Sequence, residues 1–289
     1  MAKPVWIAQH TGKRLIDTLL PVRRRESHKG DYGRVLLLCG SEGLTGAARL
    51  AARGALRTGS GLVYLGVPEK IYPIVAAGAG SEIVFPLPCD RGGRLCMAAL
   101  PEITDRLSGM DAVLLGPGLG RSAELTRLVQ AVLSICRVPL VLDADGINAA
   151  AAHIDVLRGC ACPIVLTPHD GEFLRMGGDP KAADRAQETM RLADSLHAVL
   201  LLKGSRTLIT DGLNIYVNQT GNPGLATGGS GDVLAGMLVS LLGQHIMPLE
   251  AAAAAAWLHG AAADLAADEL GEYGMVPEDL LTRIPRLLP

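Results

Sequence analysis

A mostly parallel β-sheet covered by helices on both faces is the fold this sequence predicts. Short, wholly apolar runs recur along the chain, each followed by a turn rich in Gly, Asp, His or Lys and then by a helical pattern. Runs so uniformly apolar belong to strands with both faces covered, not to a sheet with one wet side. No linker, repeat or low-complexity tract divides the 289 residues, a length that one large α/β domain accommodates.

Residues 1–27 are polar and hold a basic knot, Arg23-Arg24-Arg25. They read as an N-terminal arm or short helix with a solvated face, leading into a domain over 28–289. Val35–Cys39 is a strand ended by Gly40, Ala47–Thr58 a helix and Leu62–Val67 a second strand, which makes a βαβ unit. Asp111–Leu115 runs into Gly116-Pro-Gly-Leu-Gly120 and a helix over Ala123–Cys136. Leu140–Leu142 leads to Asp143-Ala-Asp-Gly146 and a helix from Asn148. Ile164–Leu166 leads to Thr167-Pro-His-Asp-Gly-Glu172 and another helix. Ala198–Leu202 leads to Lys203-Gly204. In an open parallel sheet such strand ends share one edge, where ligands bind. Five loops are therefore expected at one cleft.

Thr207–Asn218 differs. An Asp211-Gly212 turn between apolar runs predicts a late antiparallel hairpin. Two helices follow, Asp232–Leu242 and Pro248–Glu269. The first places Val233, Leu234, Met237, Leu238, Leu241 and Leu242 on one face. The second is rich in small residues that permit close packing, and its His259 and Asp264 read as packing or surface groups.

Composition narrows the function. Lys plus Arg is 27 against 29 for Asp plus Glu, a net charge of −2, which argues against a surface that wraps a polyanion. Aromatics are 3%, too few for a base-stacking platform, while 49% apolar residues supply a large core built from Ala, Leu and Val. No apolar stretch reaches the about 18 residues of a spanning helix, and no signal peptide is read, so a cytoplasmic protein is expected. The six cysteines form no Cys-x-x-Cys pair. They read as small buried hydrophobes in a reducing compartment, with Cys160-Ala-Cys162 as a redox pair the alternative.

Asn222-Pro-Gly-Leu-Ala-Thr-Gly-Gly-Ser-Gly-Asp232 carries the chemistry. Free N–H groups at a helix start make an anion hole, the helix dipole adds to it, and glycines let the backbone approach a phosphoryl group. Asp232 is either an N-cap or a base that takes a proton from a hydroxyl attacking phosphorus. A bare cap needs no glycines before it, which favours the base. The usual P-loop and a full G-x-G-x-x-G are both absent.

Gly-Gly-Ser-Gly-Asp at the start of a late helix resembles the anion-hole motif of the ribokinase-like superfamily. The wider run Asn222–Gly236 resembles the signature of the ADP- or ATP-dependent NAD(P)H-hydrate dehydratases. Lys29-Gly-Asp-Tyr-Gly33, Gly116–Gly120, Leu142–Gly146 and Thr167–Glu172 agree with it, over roughly residues 28–285. The resemblance implies a three-layer α/β/α sandwich and a standalone form without the epimerase domain many members carry. The implied reaction restores NAD(P)H from its 6-hydroxy hydrate, NADHX or NADPHX, with ADP preferred over ATP as phosphoryl donor. It implies Asp232 as base, and Gly229, Ser230 and Gly231 as the anion hole. It places the nucleotide on Lys203, Gly204, Ser205, Arg206, Thr207 and Gly231. The hydrated dinucleotide falls to Ala47, Gly118, Gly120, His169 and Asp232. Glu172 would help organise Mg2+, through water. His169 stands where many ribokinase-like kinases have Asn, which puts a metal role for His169 in doubt. Asp143 and Asp145 line the cleft or cap the next helix. A homotetramer and a separate epimerase partner are further implications of the resemblance. The competing readings are a kinase of a small alcohol, of hydroxyethylthiazole or hydroxymethylpyrimidine type, and a non-catalytic nucleotide-binding regulator.

Overall fold

The computed structural model describes residues 5–6 and 12–289. In chain order the elements are β1 (Val5–Trp6), α1 (Lys13–Leu19), β2 (Arg34–Leu38), α2 (Thr45–Arg57), β3 (Leu62–Pro68), α3 (Tyr72–Ala77), β4 (Ile83–Leu87), α4 (Leu100–Leu107), β5 (Ala112–Leu115), α5 (Ala123–Ile135), β6 (Leu140–Leu142), α6 (Asp145–Ala151), α7 (Asp155–Arg158), β7 (Ile164–Leu166), α8 (Asp170–Arg175), α9 (Arg185–Leu196), β8 (Val199–Leu202), β9 (Leu208–Thr210), β10 (Asn214–Val217), α10 (Ser230–Gly243), α11 (Pro248–Leu270) and α12 (Pro277–Leu287).

The strands form one sheet in the order β1-β10-β9-β8-β7-β6-β5-β2-β3-β4. Only β9 runs against its neighbours, β8 and β10, and so supplies the expected hairpin. Side chains alternate between two cores. Val35 and Leu37 of β2 join α2, α10, α11 and α12 on one face, while Leu36 and Leu38 join α5 and α9 on the other. Three layers result, as a sheet with both faces apolar requires.

β2 lies between β3 and β5 although β5 comes much later in the chain. The chain therefore reverses its direction of travel across the sheet at this point. Beyond the ends of β2 and β5 the following loops diverge, and a crevice opens. Of the expected N-terminal arm, residues 1–4 and 7–11 lie outside the described residues. Within the rest, β1 pairs in parallel with β10 and α1 packs near α11.

Several elements depart from the sequence reading. β4, α3 and α4 fill the stretch between β3 and β5 that pattern alone left unassigned. β4 carries Pro86, which reads as a strand breaker but is tolerated on an edge strand. α9 and α12 were likewise not anticipated. α6 begins at Asp145, ahead of Asn148. The one-sided stripe expected of α10 is instead burial all round from Val233 to Gly243, because α2, α11 and the sheet enclose it. A side-chain carbon at Gly236 would lie 2.0 Å from the Ala51 carbonyl oxygen, so this crossing admits only glycine there. Among the described residues no helix is long and apolar enough to cross a membrane.

Candidate active site

The loops after β2, β5, β6, β7 and β8 meet at the C-terminal edge of the sheet. Gly40 N–H donates to the Pro117 carbonyl at 2.8 Å, and Ser41 Oγ donates to the Gly118 carbonyl at 2.7 Å. These bonds seam the β2 and β5 loops at the crevice. A side-chain carbon at Gly118 would lie 2.8 Å from Ala47 Cβ, so these two positions touch. Gly120 N–H donates to Asp145 Oδ2 at 2.8 Å. Ala47, Gly118 and Gly120 thus form one wall.

The β6, β7 and β8 loops supply charge. Asp143 is buried, and its Oδ1 accepts from Thr167 Oγ1 at 2.6 Å and from Lys203 Nζ at 3.0 Å. Lys203 Nζ also lies 4.0 Å from Glu172 Oε2. Burial alone would push the Lys203 ammonium down. The Asp143, Glu172 and Asp232 carboxylates outweigh burial, so its pKa rises and the lysine stays charged.

His169 caps α8. Its Nδ1 accepts from Gly171 N–H at 2.9 Å, while Glu172 Oε2 accepts from His169 N–H at 3.0 Å. This is a reciprocal capping box. It leaves the proton on Nε2, which lies 3.3 Å from Glu172 Oε1.

The start of α10 is built differently. Gly229 is the N-cap, at φ 99°, and no side chain caps the helix. Asp232 is therefore the third helical residue and not the N-cap, the alternative that the preceding glycines already disfavoured. The amides of Gly229, Gly231 and Asp232 meet no acceptor among the described residues, and that of Ser230 reaches Thr227 O only at 3.5 Å. Ser230 is turned to structural use, its Oγ donating to the Leu225 carbonyl at 2.8 Å. A carbon at Gly231 would lie 3.6 Å from Lys203 Nζ, so the ammonium flanks the free amides. Burial, then the Asp143 charge, pushes the Asp232 carboxyl up to about 7 against the pull of Lys203, with Asp145 adding a further push.

Beside this helix start opens a cavity of about 600 Å³, lined among others by Lys203, Gly204, Ser205, Thr207, Gly231 and His259. That volume suits a nucleotide-sized ligand. Arg206 is exposed and outside the lining. Ala47, Gly118, Gly120 and His169 also lie outside it, on the crevice side. The predicted residues therefore fall into two groups, one lining the cavity and one on the crevice side.

Two braces were not anticipated. His259 is buried, and burial holds it neutral with its pKa lowered to about 4. Its Nε2 lies 2.9 Å from the Ser230 carbonyl oxygen, to which the neutral ring donates. Asp264 accepts from Gly221 N–H at 2.9 Å and from Asn222 Nδ2 at 3.0 Å. Both side chains sit on α11 and hold the loop that leads into the open start of α10. The Asn222 side chain beside the glycine run is the one local hint of such a brace.

The family model described as NAD(P)H-hydrate dehydratase matches residues 35–286. The chain belongs to that family. An ADP-dependent (S)-NAD(P)H-hydrate dehydratase of Bacillus subtilis is 36% identical, covering 99% of this chain and 98% of its own. A bifunctional NAD(P)H-hydrate repair enzyme of Moorella thermoacetica is 44% identical over 97% of this chain. The chain spans about half the length of that relative and of the other bifunctional ones it matches. A solved B. subtilis ADP/ATP-dependent NAD(P)H-hydrate dehydratase, co-crystallised with ATP and Mg2+, superposes with a TM-score of 0.79 at 32% identity, covering 96% of each chain. This superposition, with the three layers and the late antiparallel hairpin, bears out the expected ribokinase-like fold.

Proposed function

We propose that this protein dehydrates (S)-NAD(P)H-hydrate to NAD(P)H at the expense of ADP, releasing AMP and phosphate. The free amides at the α10 start, with a carboxyl poised near neutrality beside them, carry the reading. Asp232 takes the proton of the C6 hydroxyl, and the oxygen attacks the terminal phosphorus of the donor. The amides of Gly229, Ser230 and Gly231 and the Lys203 ammonium receive the charge that builds on the migrating phosphoryl group. AMP leaves. Hydroxide is a poor leaving group and phosphate a good one. The ring nitrogen then expels phosphate from C6, and loss of a proton from the neighbouring ring carbon restores the dihydronicotinamide.

The cavity beside Lys203, Gly204, Ser205, Thr207 and Gly231 takes the nucleotide, with Arg206 at its rim. Ala47, Gly118, Gly120 and His169 receive the hydrated dinucleotide. The donor assignment to ADP is supported by the name of the full-length B. subtilis relative. Among the described residues no three His, Cys, Asp or Glu side chains gather as metal ligands. Glu172 is committed to His169 and Lys203. Glu172 would help hold a magnesium ion through water and not by direct ligation. Bound there, it would neutralise charge on the transferring group. Assembly as a homotetramer and a separate epimerase complete the reading and rest on the resemblance alone, while a cytoplasmic location rests on the sequence pattern.

Incubation with ADP and hydrated NADH tests it. Phosphate should be released only when the hydrate is present, while the absorbance of NADH returns. Nucleotide turnover indifferent to the hydrate sinks the reading. A stable phosphorylated alcohol would mark the kinase instead.

A further inference from the structure

All six cysteines are free, and three of them meet at the sheet edge opposite the candidate active site. Cys136 ends α5, while Cys160 and Cys162 lie in the turn between α7 and β7. Cys160 Sγ is 3.3 Å from Cys162 Sγ and 3.0 Å from the Leu133 carbonyl oxygen. Cys136 Sγ donates to the Val138 carbonyl at 3.3 Å. Cys162 is buried, its Sγ in hydrogen-bond contact with that of Cys160, and Cys160 is half-buried. Packing asks only for small apolar groups in this turn. It does not ask for two sulfurs within one van der Waals contact, one of them reachable from solvent.

We propose that Cys160 and Cys162 form a reversible dithiol–disulfide site that reacts with hydroperoxides, Cys160 attacking and Cys162 resolving. The Cys160 thiolate attacks the terminal oxygen of the peroxide. The O–O bond breaks, the departing alkoxide or hydroxide takes a proton, and Cys160 becomes a sulfenic acid. Cys162 sulfur then attacks Cys160 sulfur, the S–O bond breaks, and hydroxide leaves with the Cys162 proton as water. Two thiols lose two electrons and two protons, and the peroxide is reduced. Because a Cys-x-Cys bridge closes a very small ring, thiol reductants reopen it readily.

The surroundings divide the labour. The hydrogen bond from Cys162 draws Cys160 down to about 6, against its burial, and Arg137 helps. Cys162 moves up and keeps its proton until Cys160 has reacted. Cys89, partly exposed, is pushed up by its burial and is a control within the same chain.

The test is to treat the folded full chain with hydrogen peroxide, alkylate it without reduction, and digest it with trypsin. Cys160 and Cys162 share the fragment 159–175, whereas Cys136 lies in 128–137. The expected product is fragment 159–175 lighter by two hydrogen atoms and restored by dithiothreitol. In Cys162→Ser, Cys160 should instead be trapped by dimedone as the sulfenic acid. In Cys160→Ser, both signals should vanish. At mildly acidic pH Cys160 should alkylate roughly tenfold faster than Cys89. Equal alkylation of the two, or fragment 159–175 with both thiols free after peroxide has oxidised Cys89, overturns the proposal.

Discussion

α8 and α10 begin within the same cleft and treat their first-turn amides in opposite ways. At α8, His169 and Glu172 satisfy each other's end of the helix with side chains. At α10, Gly229 offers no side chain, Ser230 turns its hydroxyl to Leu225, and the amides stay open. A helix start stabilised by its own residues is scaffold. One left unsatisfied stores binding energy for an anion. The neutral His259 and Asp264 stabilise the open start from behind, so the hole is held in shape without being filled.

The sharpest test of that contrast is Asp232→Asn. Removing the proposed base while leaving the amides in place should lower kcat about a thousandfold, with nucleotide binding by calorimetry unchanged. In the parent protein kcat/KM should rise with pH through about 7, where Asp232 ionises. The sign for stability is the reverse. A carboxyl whose folded pKa is raised holds its proton more tightly folded than unfolded. Its contribution is whole below the ordinary carboxylate range and is lost as pH rises to about 7. Asp232→Asn should flatten that part of a melting-temperature profile. An Asn variant that turns over like the parent would leave the cleft a binding module.

Lys203→Met comes next. It leaves Asp143 and Glu172 without their shared cation and removes a positive charge that restrains Asp232. Stability should fall by about 2–3 kcal/mol in denaturant titrations, the partial exposure of Lys203 keeping the cost below that of a fully buried pair. Turnover should drop roughly a hundredfold, and the midpoint of the pH profile should move upward. A midpoint that moves down, or stays, would separate Lys203 from Asp232.

How far the sequence revealed this arrangement follows from which forces are local. The strands from β5 to β8 were legible because each is wholly buried and ends in a cluster of chemistry-bearing residues. β4 was not, since Pro86 speaks against a strand until its edge position is known. Asp143 and Asp145 look interchangeable in Asp143-Ala-Asp145. The fold separates them, one gripping Lys203 across the sheet, the other starting α6 and holding Gly120 N–H. His259 reaches Ser230 only because α10 and α11 pack together, a pairing no local pattern encodes. The glycine run before Asp232 was legible because its chemistry needs bare backbone.

Gly229→Ala probes the open start itself. The residue sits at φ 99°, and a side-chain carbon there would lie 2.6 Å from Leu50 Cδ1. Relief requires the turn to rotate and the amides to diverge. A stability loss of about 1–2 kcal/mol with about a tenfold loss of kcat is expected. Calorimetry and steady-state kinetics together would check it. Lost stability with turnover intact would mean that the amides are not the phosphoryl receptacle.

The closed start should give the smallest response. In His169→Ala the Gly171 and Glu172 amides lose their acceptor, which costs about 1 kcal/mol of stability. In His169→Asn an acceptor returns at the same place, and most of that stability should return with it. His169 lies on the crevice side and outside the cavity proposed for the nucleotide. Either variant should therefore raise KM for the hydrated dinucleotide only a few-fold while leaving the KM for ADP alone. If His169→Ala instead weakened ADP as much as Lys203→Met does, the two helix starts would be serving one ligand. The division between a scaffold cap and a phosphoryl receptacle would then fail.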